Sequence, residues 1–230
     1  MSKGIPAMFD EIAKRYDLIN DLLSFGIHRT WLKKAIRKLH IENGFRILDL
    51  ATGTGNFVFE FLSKYPNLDI VGIDLAEKML DIARERNSKQ FNNKAKFLFG
   101  DATRIPFADN TFDIVSISYG IRNVQDVQKC LFEIQRVLKP NGQLIIVEFG
   151  QPSKWILPIY KAYQKIFIRY FGGVMSRNRP AYRYFVNSIN KFPYGKDFLK
   201  ILKELDLFHS LAYYPLNFGI AYIYIGKAKK

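Results

Sequence analysis

Between residues 45 and 149, apolar and polar positions alternate in a regular way. Short, mostly apolar runs of strand length are separated by segments in which apolar residues recur at helical spacing. The predicted strands are Phe45–Leu50, Leu68–Ile73, Lys96–Phe99, Phe112–Ile117 and Gln143–Phe149. The first predicted helix begins with Phe57–Leu62. Two later helices cover Glu77–Arg86 and Val127–Leu138. Such an alternation indicates an α/β fold, in which helices cover both faces of a parallel sheet.

Two flanking regions have other patterns. Residues 5–40 show helical spacing, and we expect them to form a lid or an edge layer beside the sheet. Near the other end, Gly195–Asp206 is predicted to be a helix, and Leu211–Tyr214 and Ala221–Ile225 alternate as strands do. These two strands are expected to form a closing hairpin at the sheet edge.

The first predicted strand ends in a turn of small residues, Ala51-Thr52-Gly53-Thr54-Gly55. Glycines let the backbone turn sharply and approach a ligand, and the following helix offers free N–H groups as donors. A strand, a glycine turn and a helix together predict a nucleotide-type pocket at the carboxyl edge of the sheet. On its own, the Gly-x-Gly pair could equally be only a tight turn.

The ligand class follows from what this turn lacks. A dinucleotide fingerprint requires a third small residue where Val58 stands, and the turn has no Lys of the phosphate-loop type. Asp74 closes the second strand, where a carboxylate can accept both hydroxyls of a ribose. A ribose acceptor without a phosphate-binding device indicates S-adenosylmethionine.

Other acidic residues stand at strand ends and strengthen this interpretation. Asp49 lies at the end of the first strand, and Asp101 follows the third. Asp101 is placed to accept from an adenine amino group, while Ala102 lets the ring lie flat. Taken alone, Asp101 could equally cap the next turn.

Length and composition restrict the class of protein. A chain of 230 residues suffices for one α/β domain with additions. Cys130 is the only cysteine, so a disulfide framework is excluded, and the start of the chain has no signal-peptide pattern. No apolar run approaches the roughly 20 residues that span a bilayer. We therefore expect a cytoplasmic protein. We also expect no bound metal ion, because no His, Cys or carboxylate cluster has the spacing of metal ligands.

The net charge of +14 is concentrated near the end of the chain, where residues 151–230 hold 14 Lys/Arg and 3 Asp/Glu. This asymmetry suggests an anionic partner, either nucleic acid or a phospholipid surface; a solvated, Lys-rich surface is the alternative. Aromatic and basic residues interleave here: Trp155, Tyr160, Lys161, Tyr163, Lys165, Phe167, Arg169, Tyr170 and Phe171. Most such aromatics belong to a core, but the added charge suits a membrane interface. We expect residues 154–183 to dock on an anionic membrane.

Four segments carry a family resemblance: LDLATGTG (48–55), GDATRIPFADNTFD (100–113), ISYGIRNV (117–124) and RVLKPNGQLIIVEF (136–149). They look like the motifs of class I S-adenosylmethionine methyltransferases. The flanking segments YDLIN, SFGIHRTW, AYRYFVNSINKFP and GIAYIYIGK make the resemblance more specific. Over essentially its whole length the chain is similar to the menaquinone/ubiquinone biosynthesis C-methyltransferases.

The resemblance implies a Rossmann-like class I fold, with a seven-stranded, mostly parallel sheet whose last strand is antiparallel. It implies cofactor contacts at Thr54, Asp74, Asp101, Ala102 and Ser118. We add Asp49, Gly53, Gly55 and Met79 to this predicted cofactor-binding group. The single domain, 1–230, then divides into a helical lid (1–44), a cofactor-binding half (45–150) and a substrate side with the closing strands (151–230).

The implied reaction is carbon methylation of a prenylated quinol ring, either demethylmenaquinol or 2-methoxy-6-polyprenyl-1,4-benzoquinol. Such a substrate implies a peripheral enzyme at the inner face of a membrane, and a homodimer is one expected state. The chain departs from the family pattern at Ile19, Thr52, Asn56 and Tyr224. These departures concern local packing and substrate preference.

Methylation of a ring carbon requires a neighbouring ring oxygen to lose its proton. Arg122 is predicted to place its guanidinium beside that oxygen, and Asn123 to form a hydrogen bond with it. Arg is too basic to remove a proton, so a bound water, His28 or Tyr16 is the expected acceptor. The alternative for Arg122 is a surface ion pair with Asp126.

Two alternative functions would suit some of the same sequence features. A nucleic-acid methyltransferase would suit the positive charge, but base methylation normally uses an Asn/Asp-Pro-Pro-aromatic run after the fourth strand. Ser118-Tyr119-Gly120-Ile121 does not match that run, so we predict no nucleic-acid partner. The second alternative is a module that binds S-adenosylmethionine without catalysis, which an assay of methyl transfer to reduced quinones would distinguish.

Overall fold

The computed structural model describes residues 4–24, 26–153, 155–163 and 179–230. Much of the aromatic and basic stretch that we expect at a membrane lies outside these ranges, including Lys165, Phe167, Arg169, Tyr170 and Phe171.

The strands of the described residues form one sheet. They are β1 (Arg46–Leu50), β2 (Asp69–Asp74), β3 (Ala95–Phe99), β4 (Phe112–Ser118), β5 (Leu138–Phe149), β6 (Phe208–Leu216) and β7 (Ala221–Ala228). Their order across the seven-stranded sheet is β3-β2-β1-β4-β5-β7-β6. The first five strands run parallel, whereas β7 is antiparallel to both of its neighbours. The predicted seven-stranded sheet with an antiparallel last strand is confirmed.

Helices of the described residues surround this sheet. They are α1 (Ile5–Ser24), α2 (Ile27–Ile36), α3 (Asn56–Lys64), α4 (Glu77–Phe91), α5 (Val127–Val137), α6 (157–163), α7 (Arg179–Lys191) and α8 (Lys196–Glu204). Short 3-10 turns lie at Ile121–Asn123 and Asn217–Gly219.

Each face of the sheet has its own apolar core. Trp31 of α2, Phe57 of α3 and Leu80 of α4 pack on one face, whereas Leu131 of α5 and Phe198 of α8 pack on the other. The central strands are therefore buried on both sides, which explains their nearly continuous apolar sequence.

The fifth strand begins earlier than predicted. We expected a turn at Lys139-Pro140-Asn141-Gly142 and a strand from Gln143, but β5 already begins at Leu138, which pairs with Phe112. The register between β4 and β5 then shifts, and Asn141 has a positive φ of 60°. The turn-forming residues therefore make an irregularity inside the strand instead of ending it.

Helix α1 lies against α4, outside the two main cores. Ala13 of α1 is buried in a small cluster with Ala76 and Met79, and Phe9 and Tyr16 pack against that cluster. This packing places α1 across the carboxyl ends of the strands, where the site is found.

Candidate functional site

The glycine turn follows β1 and leads into α3. Gly53 and Gly55 both have positive φ angles, of 55° and 81°, which favour glycine. A Cβ at Gly55 would lie 2.8 Å from the Phe59 ring, whereas a Cβ at Gly53 would have nothing within 4 Å. Gly55 is therefore required by packing, and the open side of Gly53 leaves room for a ligand.

A cavity of about 550 Å³ lies between α1 and the carboxyl ends of the parallel strands. It brings together most of the residues that we predicted for the site. These are Tyr16, Gly53, Asp74, Met79, Asp101, Ala102, Ser118, Arg122 and Asn123. The predicted pocket at the carboxyl edge is thus present, and these nine predicted cofactor and catalytic residues share it.

Asp74 is held in place by the backbone on both of its carboxylate oxygens. Oδ2 accepts from Gly53 N at 2.8 Å, and Oδ1 accepts from Ala76 N at 2.9 Å. Burial raises the pKa of Asp74, and these backbone hydrogen bonds oppose that rise. Because a carboxylate has about four acceptor positions, the backbone does not use all of them, which leaves room for a ligand's hydroxyl.

Asp101 takes the capping role considered from the sequence, and its place at the cavity leaves the adenine role a prediction. Its Oδ1 accepts from Thr103 N at 2.8 Å and from Thr103 Oγ1 at 2.9 Å, so it does cap the following turn. Asp101 also lines the cavity beside Ala102, which is nearly buried.

Asp49 does not line this cavity. It is buried beneath the glycine turn and accepts from Thr52 Oγ1 at 2.7 Å and from Ser116 Oγ at 2.6 Å. Burial raises its pKa to about 7. The predicted direct contact of Asp49 with a cofactor has no support in this geometry, in which Asp49 braces the turn from below.

Thr54 and Gly55 are also absent from the lining of the large cavity. The Thr54 hydroxyl donates instead to Asp17 Oδ1 of α1, at 2.7 Å. Asn56 Nδ2 donates to the same oxygen at 2.8 Å, and Arg86 Nη1 lies 3.3 Å from Asp17 Oδ2. Asp17 therefore ties the helix over the cavity to the turn and to α4.

Arg122 forms a buried ion pair with Glu148 of β5. Its Nη1 donates to Glu148 Oε1 at 2.6 Å and to the carbonyl of Tyr119 at 2.5 Å, and its Nε donates to Ser188 Oγ at 3.3 Å. The alternative of a surface ion pair with Asp126 is wrong: Asp126 accepts from Lys129 N and caps α5.

The guanidinium of Arg122 also lies against two aromatic rings. Its Cζ is 5.4 Å from the ring centre of Phe149 and 5.1 Å from that of Phe185. Nη2 has no hydrogen-bond partner among the described residues. Because Arg122 lines the cavity, this nitrogen is the one available to a bound molecule.

The Asn123 side chain is oriented by two neighbours. Its Oδ1 accepts from the Tyr184 hydroxyl at 3.0 Å, and its Nδ2 donates to the Tyr119 carbonyl at a long 3.4 Å. Tyr119 itself has a positive φ of 55°, and its hydroxyl donates to the carbonyl of His28. Asn123 lines the cavity, and its amide keeps one donor hydrogen beyond the bond to Tyr119.

His28 lines a separate, smaller chamber of about 20 Å³ that also touches Tyr16 and Tyr119. Its Nδ1 lies 2.8 Å from Ser24 Oγ, and Ser24 Oγ donates to the Asn20 carbonyl at 2.6 Å. The single hydroxyl hydrogen of Ser24 is thus used, so Nδ1 must donate and Nε2 carries the lone pair. Burial lowers the pKa of His28, with Asp21 opposing and Arg29 adding to the shift.

Tyr16 reaches the large cavity and this chamber. Burial raises its pKa, and a hydrogen bond with Asn20 opposes that rise. The protonated hydroxyl of Tyr16 can therefore donate a hydrogen bond to a bound molecule.

Sequence reasoning missed three residues of this arrangement: Asp17, Glu148 and Tyr184. Glu148 gives one signal, because it is the single charge in the apolar run of β5 from Leu144 to Phe149. A buried charge requires a partner. The roles of Asp17 and Tyr184 depend on contacts between distant parts of the chain, which no local pattern indicates.

Two other features are absent from the described residues. No helix among them is long and apolar enough to cross a membrane. No group of three or more His, Cys, Asp or Glu side chains in these ranges could hold a metal ion.

Known proteins resemble this chain over nearly its full length. A family model described as the ubiE/COQ5 methyltransferase family matches residues 2–228. A protein of Thermus thermophilus named demethylmenaquinone methyltransferase is 41% identical over 220 residues, covering 95% of this chain and 99% of the relative. The ubiquinone/menaquinone biosynthesis C-methyltransferase UbiE of Dinoroseobacter shibae is 37% identical over 224 residues, covering 96% and 89%. A mitochondrial 2-methoxy-6-polyprenyl-1,4-benzoquinol methylase of Caenorhabditis elegans is 36% identical, covering 95% and 78%.

Solved structures share the fold at low identity. A methyltransferase from Thermotoga maritima described as a possible histamine N-methyltransferase has a TM-score of 0.70 at 19% identity, covering 97% of this chain and 99% of that one. A Haemonchus contortus phosphoethanolamine N-methyltransferase, solved with S-adenosylhomocysteine, has a TM-score of 0.65 at 16% identity, covering 87% of this chain and 53% of that one. These likenesses show the class I methyltransferase fold.

Proposed function

Because the chain belongs to the ubiE/COQ5 methyltransferase family, we propose that it transfers the methyl group of S-adenosylmethionine to a ring carbon of a prenylated quinol. The names of its relatives specify demethylmenaquinone and 2-methoxy-6-polyprenyl-1,4-benzoquinol as the rings that those proteins methylate. The observation that carries the proposal is the single cavity of about 550 Å³, which Asp74 and Asp101 line together with Arg122 and Asn123.

The cofactor half of this cavity fits a nucleoside that bears no phosphate. The open side of Gly53 admits a ligand close to the backbone, and Asp74 keeps acceptor positions for ribose hydroxyls. Asp101 and Ala102 are proposed to hold the adenine, and Met79 and Ser118 complete this wall. When bound, S-adenosylmethionine supplies a methyl group on a positively charged sulfur.

The other half of the cavity is suited to stabilising a phenolate. A quinol carbon becomes nucleophilic once the adjacent hydroxyl has lost its proton, so donors must be aimed at that oxygen. Arg122 Nη2 and Asn123 Nδ2 are the proposed donors. Because Glu148 neutralises the guanidinium, Arg122 acts through a directed hydrogen bond more than through net charge.

The proton acceptor that we propose is His28, reached through a water molecule. The chamber of about 20 Å³ is large enough for one water, which needs roughly 10–15 Å³. The lowered pKa keeps His28 neutral near pH 7, and Nε2 is the ring nitrogen left to accept. A phenol proton that passes to this water and then to Nε2 leaves the ring carbon activated.

We further propose that the enzyme works as a peripheral protein at the inner, cytoplasmic face of a membrane. A prenylated quinol resides in the bilayer, and the described residues include no helix that could span it, so we infer that the enzyme meets its substrate at the surface. The strongly basic residues 151–230 support this location. A homodimer stays a prediction.

The decisive experiment is a quinone profile, by mass spectrometry, of cells that lack this protein. Accumulation of a demethylated quinone, reversed by the wild-type chain, would support the proposal and identify the ring. A purified chain that binds S-adenosylmethionine but transfers no methyl group to reduced quinones would instead indicate a binding module.

A further inference from the structure

Two aromatic side chains stand out from the surface beside the β6–β7 turn. Trp155 is 69% exposed and Phe218 is 65% exposed, and their rings meet edge to face with centres 5.4 Å apart. Ile159 of α6, one turn after Trp155, is 71% exposed. These three residues, which we call the apolar tip, are among the most exposed large apolar side chains of the described residues.

The backbone holds Phe218 outward at a conformational cost. Asn217 and Phe218 both have positive φ angles, of 44° and 60°, and a bulky residue rarely adopts such an angle. Ser153 N donates to the Phe218 carbonyl at 2.9 Å, and Trp31 Nε1 donates to Asn217 Oδ1 at 2.7 Å. Neither bond uses the Phe218 ring, whose ring contact is with the exposed Trp155, so the strained backbone presents an apolar ring at the surface.

A basic groove adjoins this turn. Lys34 of α2 and Arg37 and Lys38, which follow its last residue, form one wall, and the other wall consists of Tyr214, Pro215, Leu216 and Ile223, around a volume of about 390 Å³. Lys38 Nζ lies 4.1 Å from the centre of the Tyr214 ring. Within the described residues, none of the three basic side chains forms an ion pair with a carboxylate.

The groove and the apolar tip belong to one face of the protein. The hydrogen bond from Trp31 to Asn217 joins α2 to the turn that carries Phe218. Leu216, which lines the groove, is only two residues before Phe218. The apolar tip and the three cations of the groove are therefore close to each other in the fold.

We propose that this face docks on a bilayer containing anionic phospholipid, with the apolar tip in the interfacial layer and a headgroup phosphate in the groove. Trp and Phe suit the region between headgroups and acyl chains, and cations attract anionic lipid. An aliphatic side chain such as Ile159 favours lipid over the stacked bases of a nucleic acid. The inference rests on the proposed function, because a prenylated substrate requires access to a membrane.

Tryptophan fluorescence gives a direct test on the intact chain. The chain has two tryptophans, and Trp31 is buried, so a change on adding vesicles reports Trp155. We expect a blue shift and protection from acrylamide with vesicles of phosphatidylcholine plus phosphatidylglycerol. An unchanged spectrum, or a change with single-stranded RNA but not with vesicles, would overturn the proposal.

Two variants separate the parts of the face in a vesicle sedimentation assay. Phe218→Asn removes the ring but suits the left-handed backbone, and it should weaken binding about tenfold at high salt as well as at low salt. Changing Lys34, Arg37 and Lys38 together to Gln should weaken binding on the order of 100-fold at low salt and much less at high salt.

Matched controls lie on other faces of the molecule. Phe132→Asn removes another exposed ring, and a Gln triple at Lys96, Lys129 and Lys203 removes three exposed cations. Losses as large as those of the test variants would show that charge and apolar area count regardless of position, and the proposed face would be wrong. Every variant should retain methyl transfer to a soluble, short-tailed quinol. If the wild-type chain shows no such activity, the proposed function itself is refuted.

Discussion

Arg122 and Glu148 form an ion pair between side chains that are only 2% and 1% exposed, with 2.6 Å between Nη1 and Oε1. Burial raises the pKa of Glu148, and the guanidinium of Arg122 opposes that rise. The pair joins the turn after β4 to the end of β5. The ion pair therefore fixes the orientation of the guanidinium. If either partner is removed, the other is left as an unpaired buried charge.

Changing Glu148 to Gln should lower the free energy of unfolding by about 3–5 kcal/mol, because a buried guanidinium loses its counter-charge. Urea denaturation at neutral pH measures the loss. Glu85→Gln is the matched control, since Glu85 pairs with Lys89 on the surface and its loss should leave stability unchanged. Equal behaviour of the two variants would contradict a structural role for the buried pair.

Removing both partners separates stability from catalysis. The double variant Arg122→Met with Glu148→Leu should unfold within about 2 kcal/mol of the wild type, because an apolar pair can replace a buried ion pair. Its turnover should nevertheless remain on the order of 10²-fold below the wild type, with the affinity for S-adenosylmethionine nearly intact. Calorimetry and a methyl-transfer assay make the comparison. Turnover that recovers along with stability would show that Arg122 only supports the fold.

Changing Asp74 to Ala should weaken binding of S-adenosylmethionine by about 2 kcal/mol or more, since the ribose would lose a charged acceptor in a buried site. Isothermal titration calorimetry measures the affinity. Asp69→Ala is the control, because Asp69 lies at the exposed, opposite end of the same strand. An unchanged affinity in the Asp74 variant would remove this residue from the cofactor site.

Local patterns in the sequence explain why the fold was predicted well. The buried strands β1 and β4 are apolar because helices cover both faces, and the turn after β1 needs glycine at its positive φ angles and at the crowded Gly55. The start of β5 was misjudged because Pro140 and Gly142 normally end an element, whereas pairing with β4 carries the strand through them. At this position, hydrogen-bonded pairing with β4 overrides the local preference of these residues for a turn.

The candidate site was predicted less completely, for a related reason. Asp74 and Arg122 follow strands, and strand ends in a parallel sheet converge at one edge. The partners that fix their neighbourhood come from distant segments: Glu148 from the next strand of the sheet, and Tyr184 from α7. Those contacts exist only once the chain is folded.

The buried Asp49 gives the free energy of unfolding a pH dependence. Its pKa is raised to about 7 in the folded chain, so the folded state holds this proton more tightly than the unfolded state. Its contribution to stability is therefore present at low pH and is lost as pH rises through 7. In Asp49→Asn this decline should be absent, which urea denaturation between about pH 5 and pH 9 would reveal. A decline of equal size in the variant would assign it to another group.

His28 should determine the acid side of the pH profile of turnover. Burial lowers the pKa of His28 below its usual value of 6.5, so turnover should fall only as pH drops below that value and Nε2 becomes protonated. His28→Gln should lower turnover by on the order of 10²-fold and abolish this acid limb. Ser24→Ala should shift the limb, because the Ser24 hydroxyl accepts from Nδ1 and selects the tautomer. His40→Gln is the control: it changes an exposed histidine that does not line the cavity, and it should leave the pH profile of turnover unaltered. If the acid limb persists in His28→Gln, a different group accepts the proton.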